Sequence, residues 1–171
     1  DKHPVDEEQT KLGHEQSQAA GAWIANFILQ SYDIDNFDAY LTSPLIRTQQ
    51  SADSLGIATT WDNEPRIAER DRGNIQGMTK QKHRELFPES YQQMLQYPFH
   101  WTPPGGESLL NVSSRLTDLV QEINENFDNV LIMTHRDVMW AIHLSIDGLK
   151  LDEVEQINTD FIGNGHILHY T

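Results

Sequence analysis

The stretch Asn129–Trp140 holds the residues best placed for chemistry. Val130, Leu131, Ile132 and Met133 form a short apolar run, the pattern of a strand buried on both faces. The run stops at Thr134, His135, Arg136 and Asp137, and an apolar helical pattern (Val138, Met139, Ala141, Ile142) follows at once. Open α/β sheets place ligand sites where a buried strand ends in polar groups before a helix, so His135 is the first candidate. The alternative is an ordinary strand-to-helix turn capped by Thr134 or Asp137. Three further segments put polar or ionisable groups at element ends: Ser43 to Arg47, Glu69 to Gly73 with Gln76-Gly77, and Pro104 to Ser108. Twelve basic against 26 acidic residues leave a net charge of −14. An anion held here is therefore held by a local cluster working against the field of the whole chain.

Those groups need a frame. Thr10 reads as the N-cap of a helix from Lys11 to about Gln30, with Leu12, Ala19, Ala20, Trp23, Ile24, Phe27 and Ile28 as its apolar face. Phe37–Thr42 reads as a strand, and Ser43-Pro44 opens a helix with Arg47 in its first turn, running to about Ser54. A strand is predicted at Ala58–Trp61 and a loop from Pro65 to Gly77. Short helices at Lys80–Leu86 and Glu89–Tyr97 follow, then an irregular connection to Glu107. Ser108 caps a long helix whose apolar face is Leu109, Val112, Leu116, Leu119, Val120 and Ile123. Gly165–Tyr170 reads as a last strand. Strands alternating with helices predict one α/β domain over residues 1–171, a three-layer α/β/α sandwich with a mainly parallel sheet.

Composition narrows the classes. At 171 residues with 37% hydrophobic and 22% charged, the chain suits a single soluble domain with a real core. The acidic balance argues against nucleic acid and against an anionic membrane surface as partners. The chain has no cysteine, which excludes disulfides, thiolate chemistry and a cysteine zinc site, and fits a cytoplasmic location. His135-x-Asp137 and His83-x-Glu85 lack the company a metal site requires, so no metal or other cofactor is expected.

Taken in order, Leu12-Gly13, Ser-Pro-Leu-x-Arg at 43–47, Glu-Arg-x-x-Gly at 69–73 with Gln76-Gly77, Pro-Gly-Gly-Glu-Ser at 104–108, and His135 after its apolar strand resemble the histidine phosphatase (phosphoglycerate mutase-like) superfamily. The resemblance spans Leu12–Tyr170. It implies transfer of a phosphoryl group from a small phosphate ester onto a histidine nucleophile and then onto water. It also implies that Arg47 grips the phosphate and that His135 contacts the phosphoryl group in transfer. It further implies that Glu69 protonates the leaving oxygen and that Ser43, Arg70 and Arg136 are candidate phosphate or substrate contacts. These are the residue types such chemistry needs, since phosphoryl oxygens require fixed positive charge and an acid must have its pKa raised to act near neutrality. The resemblance implies a phosphomonoesterase. A mutase-type phosphotransferase and a non-catalytic phospho-ligand-binding protein are the other readings. Oligomeric state is open, a homodimer included.

Two departures stand out. The family opens with a strand ending in Arg-His-Gly, whose histidine is the nucleophile, and Lys2-His3-Pro4 is a poor substitute. The expectation is that this chain begins after that motif; a pseudoenzyme is the other account. The second is Arg136, where the family usually has glycine. Aromatic residues between Gly77 and Pro103 (Phe87, Tyr91, Tyr97, Phe99, Trp101) either line the pocket mouth or pack onto the core.

Overall fold

The Thr10 side chain accepts a hydrogen bond from the Gly13 N–H at 3.1 Å and starts α1 (Lys11–Trp23). A π-helical stretch, Ile24–Ile28, and the short α2 (Leu29–Ser31) carry that helix on to its end. Then come β1 (Ala39–Thr42), α3 (Ile46–Ser54), β2 (Asp62–Asn63), α4 (Lys80–Leu86), α5 (Pro88–Gln96), α6 (Leu109–Asn126), β3 (Val130–Met133) and α7 (Arg136–Asp147). This computed structural model describes residues 7–57, 60–147 and 162–170. Ser108 caps α6 reciprocally with Asn111: its Oγ accepts from the Asn111 N–H at 3.0 Å, and Asn111 Oδ1 accepts from the Ser108 N–H at 2.9 Å.

The three strands are parallel in the order β2-β1-β3, with Leu41 opposite both Asp62 and Ile132. On one face, α6 and α7 bury Val112, Leu116, Leu119, Val138 and Ala141 against Leu41 and Ile132. On the other, Ile24, Ile28 and Leu55 pack with Leu131 and Met133. The architecture is thus the expected α/β sandwich, and the side-chain alternation along β1 and β3 is what feeds both faces.

Several elements differ from expectation. The apolar face of α1 turns on Ser17, Gly21, Ile24 and Ile28, while Leu12, Trp23 and Phe27 are exposed. Gly21 sets that face, because α1 and α3 meet backbone to backbone there and a glycine carries no hydrophobic signal. The strand after α3 begins at Asp62, later than predicted. Residues 58–59 lie outside the described residues, and Trp61 instead meets Tyr40 edge-on at 5.5 Å. Gly165–Tyr170 is not a strand among the described residues, although Ile167 reaches the Leu131 and Met133 cluster. A cavity of about 1040 Å³ lies between that segment and β3, so no ladder forms; it runs on to the residues at the ends of the strands. Phe99 and Trp101 are buried, so the core reading holds for those two aromatics.

Candidate active site

Three short segments deliver the polar groups to one place. β1 ends at Thr42, and Ser43 continues its pairing by donating its N–H to the Met133 carbonyl at 3.1 Å. Thr134, just past β3, donates its hydroxyl to the Ile67 carbonyl at 2.7 Å, which ties the end of β3 to the loop that leads to Glu69. Arg47, on the first turn of α3, then reaches across to His135.

Arg47, His135 and Glu69 form a triangle. Arg47 Nη2 lies 3.2 Å from His135 Nδ1 and 3.7 Å from Glu69 Oε2, and His135 Nδ1 lies 3.6 Å from the same carboxylate oxygen. Behind them His135 Nε2 lies 2.7 Å from the hydroxyl of Ser43, which is fully buried. A guanidinium can only donate, so it meets an unprotonated Nδ1; the ring proton then sits on Nε2 and is donated to Ser43. Burial, with the positive charges of Arg47 and Arg115, pushes the His135 imidazole down to about 3. Burial, and then the charge of Asp137, raises Glu69 above the usual carboxylate range, against the pull of the Arg70 N–H and of Arg47 and Arg72. Burial thus works against the charged form of both groups, lowering the imidazole and raising the carboxyl.

A stability test follows from the histidine. Its folded pKa is near 3 and its ordinary value is 6.5, so as pH falls through that window the unfolded chain takes up a proton that the folded one refuses. The contribution is fully present above about 6.5 and is lost progressively below it. Replacing His135 with glutamine is expected to shrink the stability lost between pH 7 and pH 4, by on the order of 3 kcal/mol. Urea unfolding at the two pH values reads this difference. An undiminished loss in the variant would mean that the imidazole is already charged in the fold.

Arg70 has a different place from the one its neighbour occupies. It is 3% exposed, with Nε donating to the Glu107 carbonyl at 2.7 Å and Nη2 to the Trp101 carbonyl at 3.0 Å. Its guanidinium also lies 5.2 Å from the Trp101 ring centroid. Arg115 on α6 donates to the Arg66 and Ala68 carbonyls and pairs with Glu107. Between them these two arginines fix the loop that carries Glu69. Nothing in the sequence marks Arg115, which reads as a polar position on an amphipathic helix.

At the cavity wall, Arg72 Nη2 donates to Asp137 Oδ2 at 2.6 Å, and Arg70 and Arg136 approach the same carboxylate at 3.7 and 3.8 Å. Asp137 therefore serves three guanidiniums from the first turn of α7, where negative charge is also favoured by the helix. The structure brings Ser43, Arg47, Glu69 and His135 together, turns Arg70 inward, and leaves Arg136 largely exposed with its guanidinium nearest its own neighbour Asp137. His83 is 4% exposed, with Nε2 3.2 Å from Ser90 Oγ, and belongs to the packing around Trp101.

The model of the histidine phosphatase superfamily (branch 1) matches residues 3–170. This chain belongs to that superfamily. Among curated histidine phosphatase relatives it is 26% identical over 163 residues to a 2,3-bisphosphoglycerate-dependent phosphoglycerate mutase of Rhizobium meliloti, covering 90% of this chain and 74% of that one. It is 27% identical over 140 residues to phosphoserine phosphatase 1 of Hydrogenobacter thermophilus, covering 80% and 66%. The fold matches a mycobacterial glucosyl-3-phosphoglycerate phosphatase solved with inorganic phosphate, with a TM-score of 0.73 at 21% identity over 88% of this chain and 74% of the other. The relatives of this superfamily member thus include both phosphatases and mutases. Its Arg47, Glu69 and His135 are the residues that the family motif had already picked out.

Proposed function

We propose that this chain forms the phosphoryl-binding part of a phosphomonoesterase acting on a small phosphate ester. The triangle of Arg47, His135 and Glu69 at the carboxyl ends of β1 and β3 carries the reading. Arg47 takes two phosphoryl oxygens with its planar fork. His135, neutral in the empty site, gains a proton when the phosphate dianion arrives and donates from Nδ1, its Nε2 proton remaining on Ser43. Glu69 is the acid. Burial raises its pKa, the direction an acid needs to protonate the leaving oxygen as the phosphorus–oxygen bond breaks. The attacking imidazole is the one that the family resemblance assigns to an Arg-His-Gly motif. Its nitrogen bonds phosphorus as the alcohol departs, and Glu69, now a carboxylate, takes a proton from the water that releases phosphate. Ser43, Arg70 and Arg115 are positioning residues in this scheme.

Hydrolysis is favoured over mutase-type transfer by the connection from Gly77 to Pro103. It holds two short helices, α4 and α5, and its Phe99 and Trp101 are packed inward. No residue of that connection lines the cavity, so nothing from it covers the phosphoryl position. Transfer to a second phosphorylated acceptor is the runner-up reading, since the superfamily relatives include phosphoglycerate mutases.

Vanadate, a phosphate mimic, tests the cluster directly. It is expected to bind despite the net charge of −14, and Arg47→Ala is expected to weaken it about 10- to 100-fold, the usual cost of one lost charge-assisted pair. Equal binding to both proteins, read by calorimetry, would remove Arg47 from the site.

A further inference from the structure

His135 and Glu69 stand side by side on two separate turns, and those turns are laced together on both sides of the pair. Ahead of it, Thr134 donates to the carbonyl of Ile67, just before Glu69. Behind it, Asp137 Oδ2 accepts from Arg72 Nη2 at 2.6 Å and lies 3.7 Å from Arg70 Nη1, both arginines following Glu69 in its loop. We infer that Asp137 is a positioning residue for the acid: from the first turn of α7 its carboxylate holds both arginines of the Glu69 loop and so governs how Glu69 stands and ionises beside His135. The inference rests on the reading of Glu69 as the acid and adds the group that controls it.

An acidic residue at the start of a helix is usually exposed and answers only the helix dipole. The Asp137 side chain is instead 10% exposed and turned to the loop. Arg70 is buried, and its other partners are the uncharged carbonyls of Glu107 and Trp101, so Asp137 supplies the opposite charge that a buried cation requires. Arg72 is held at the distance of a charge-assisted hydrogen bond. Arg136 approaches only to 3.8 Å from solvent and adds little. Position and charge act on Glu69 together. The negative charge of Asp137 opposes ionisation of the Glu69 carboxyl, whereas Arg72 favours it. Asp137 thus engages the very cation that would otherwise draw the proton off the acid. The other charged or titratable groups around Glu69 are Arg47 from α3, His135 from the turn before α7 and Arg70 from its own loop. From α6, Arg115 holds the neighbouring Ala68 carbonyl and pairs with Glu107. A general acid misplaced by about 1 Å loses on the order of 10²-fold in rate, so a tie this close to it bears on turnover.

The test uses the full-length protein and two variants. Asp137→Asn keeps the shape and an acceptor oxygen, and Arg72→Gln removes the outer arm of the clamp while leaving the buried pair of Arg70 and Asp137. NMR of labelled glutamate carboxyl carbons follows the titration of Glu69, whose signal is assigned by its loss in Glu69→Gln. The midpoint is expected to move to lower pH in Asp137→Asn, where an opposing charge is gone, and to higher pH in Arg72→Gln, where a favouring one is gone. A merely structural tie would move both to lower pH, because an opened loop admits water to the carboxyl and relieves the burial that raises it. Above neutral pH, Asp137→Asn should also lose about 10-fold more turnover on an alkyl phosphate than on nitrophenyl phosphate, a part of what a positioned acid contributes. Midpoints that move in the same direction in both variants, or in neither, overturn the inference, as does an equal loss on the two esters. If Asp137→Asn does not fold, Arg72→Gln decides alone, and a midpoint that stays or falls in it overturns the inference. Turnover of neither ester by the wild type overturns the phosphomonoesterase reading instead, and the opposite midpoint shifts still decide whether Asp137 governs Glu69.

Discussion

Replacing Glu69 with glutamine in the full-length protein is expected to slow turnover of an alkyl phosphate by on the order of 10²–10⁴, the usual contribution of a positioned acid. An alkoxide is a poor leaving group and needs a proton as the bond to phosphorus breaks. A nitrophenolate leaves without one, so the same variant should lose far less on nitrophenyl phosphate. Glutamine preserves the shape and one carbonyl oxygen, and the Arg70 N–H that now reaches Glu69 Oε1 at 3.0 Å still finds an acceptor. The loop is pinned by Arg70 and Arg115 rather than by this carboxylate, which keeps the substitution local. kcat measured on both substrates decides the matter. Equal losses on the two would make Glu69 a binding or structural residue.

The largest effect on stability is expected at Gly21. A Cβ there would stand 1.8 Å from the Leu55 carbonyl oxygen and 2.6 Å from its carbonyl carbon, both backbone atoms that no side-chain rotation can move aside. Alanine would force α1 away from α3 and loosen the cluster of Ile24, Ile28 and Leu55. The cost should reach on the order of 3 kcal/mol or more, at the severe end for a single methyl group. In a protein of this size that is a fall in Tm of roughly 10 °C. Helix propensity points the opposite way, since alanine is the better helix former by about 1 kcal/mol. Gly13→Ala is the milder comparison on the same helix, because the nearest atoms to a Cβ there, from 2.7 Å, belong to the Gln9 side chain rather than to backbone. Thermal unfolding of both variants separates the two influences; similar Tm values for them would refute the close approach at Gly21.

The same two regions show what the sequence could reveal. The apolar run at Val130–Met133, the caps at Thr10 and Ser108 and the face of α6 are local signals, and each element formed, although Val130–Met133 is half-buried rather than buried on both faces. The family motif added Arg47, Glu69 and His135, which no periodicity distinguishes from surface residues. Contacts made only by folding stayed hidden. Leu12, Trp23 and Phe27 look like core by spacing, yet the approach at Gly21 rotates them to the outside. Arg70 and Arg72 sit two residues apart in one motif with the same side chain, and only tertiary packing sends one inward to the Trp101 carbonyl and the other to Asp137. Arg115 carries no motif at all, although its guanidinium helps to hold the Glu69 loop.

The turns at 71–74 and 104–107 bind each other mostly through main chain, with one side-chain link from Asp71 N–H to Glu107 Oε2 at 3.0 Å. Asn74 N–H meets the Pro104 carbonyl at 2.8 Å, and Glu107 N–H meets the Asp71 carbonyl at 2.9 Å. A Cβ on Gly73 would fall 2.3 Å from the Pro104 oxygen, and one on Gly106 would fall 2.4 Å from the Asp71 oxygen. Because each turn is the mould of the other, they cannot be exchanged between relatives one at a time. A chimera that imports only the first would present a foreign backbone to the second and displace Glu69 next to it. In evolutionary or engineering terms, two peptides about thirty positions apart form a single transferable module, and its boundary follows the carbonyls rather than the order of the chain.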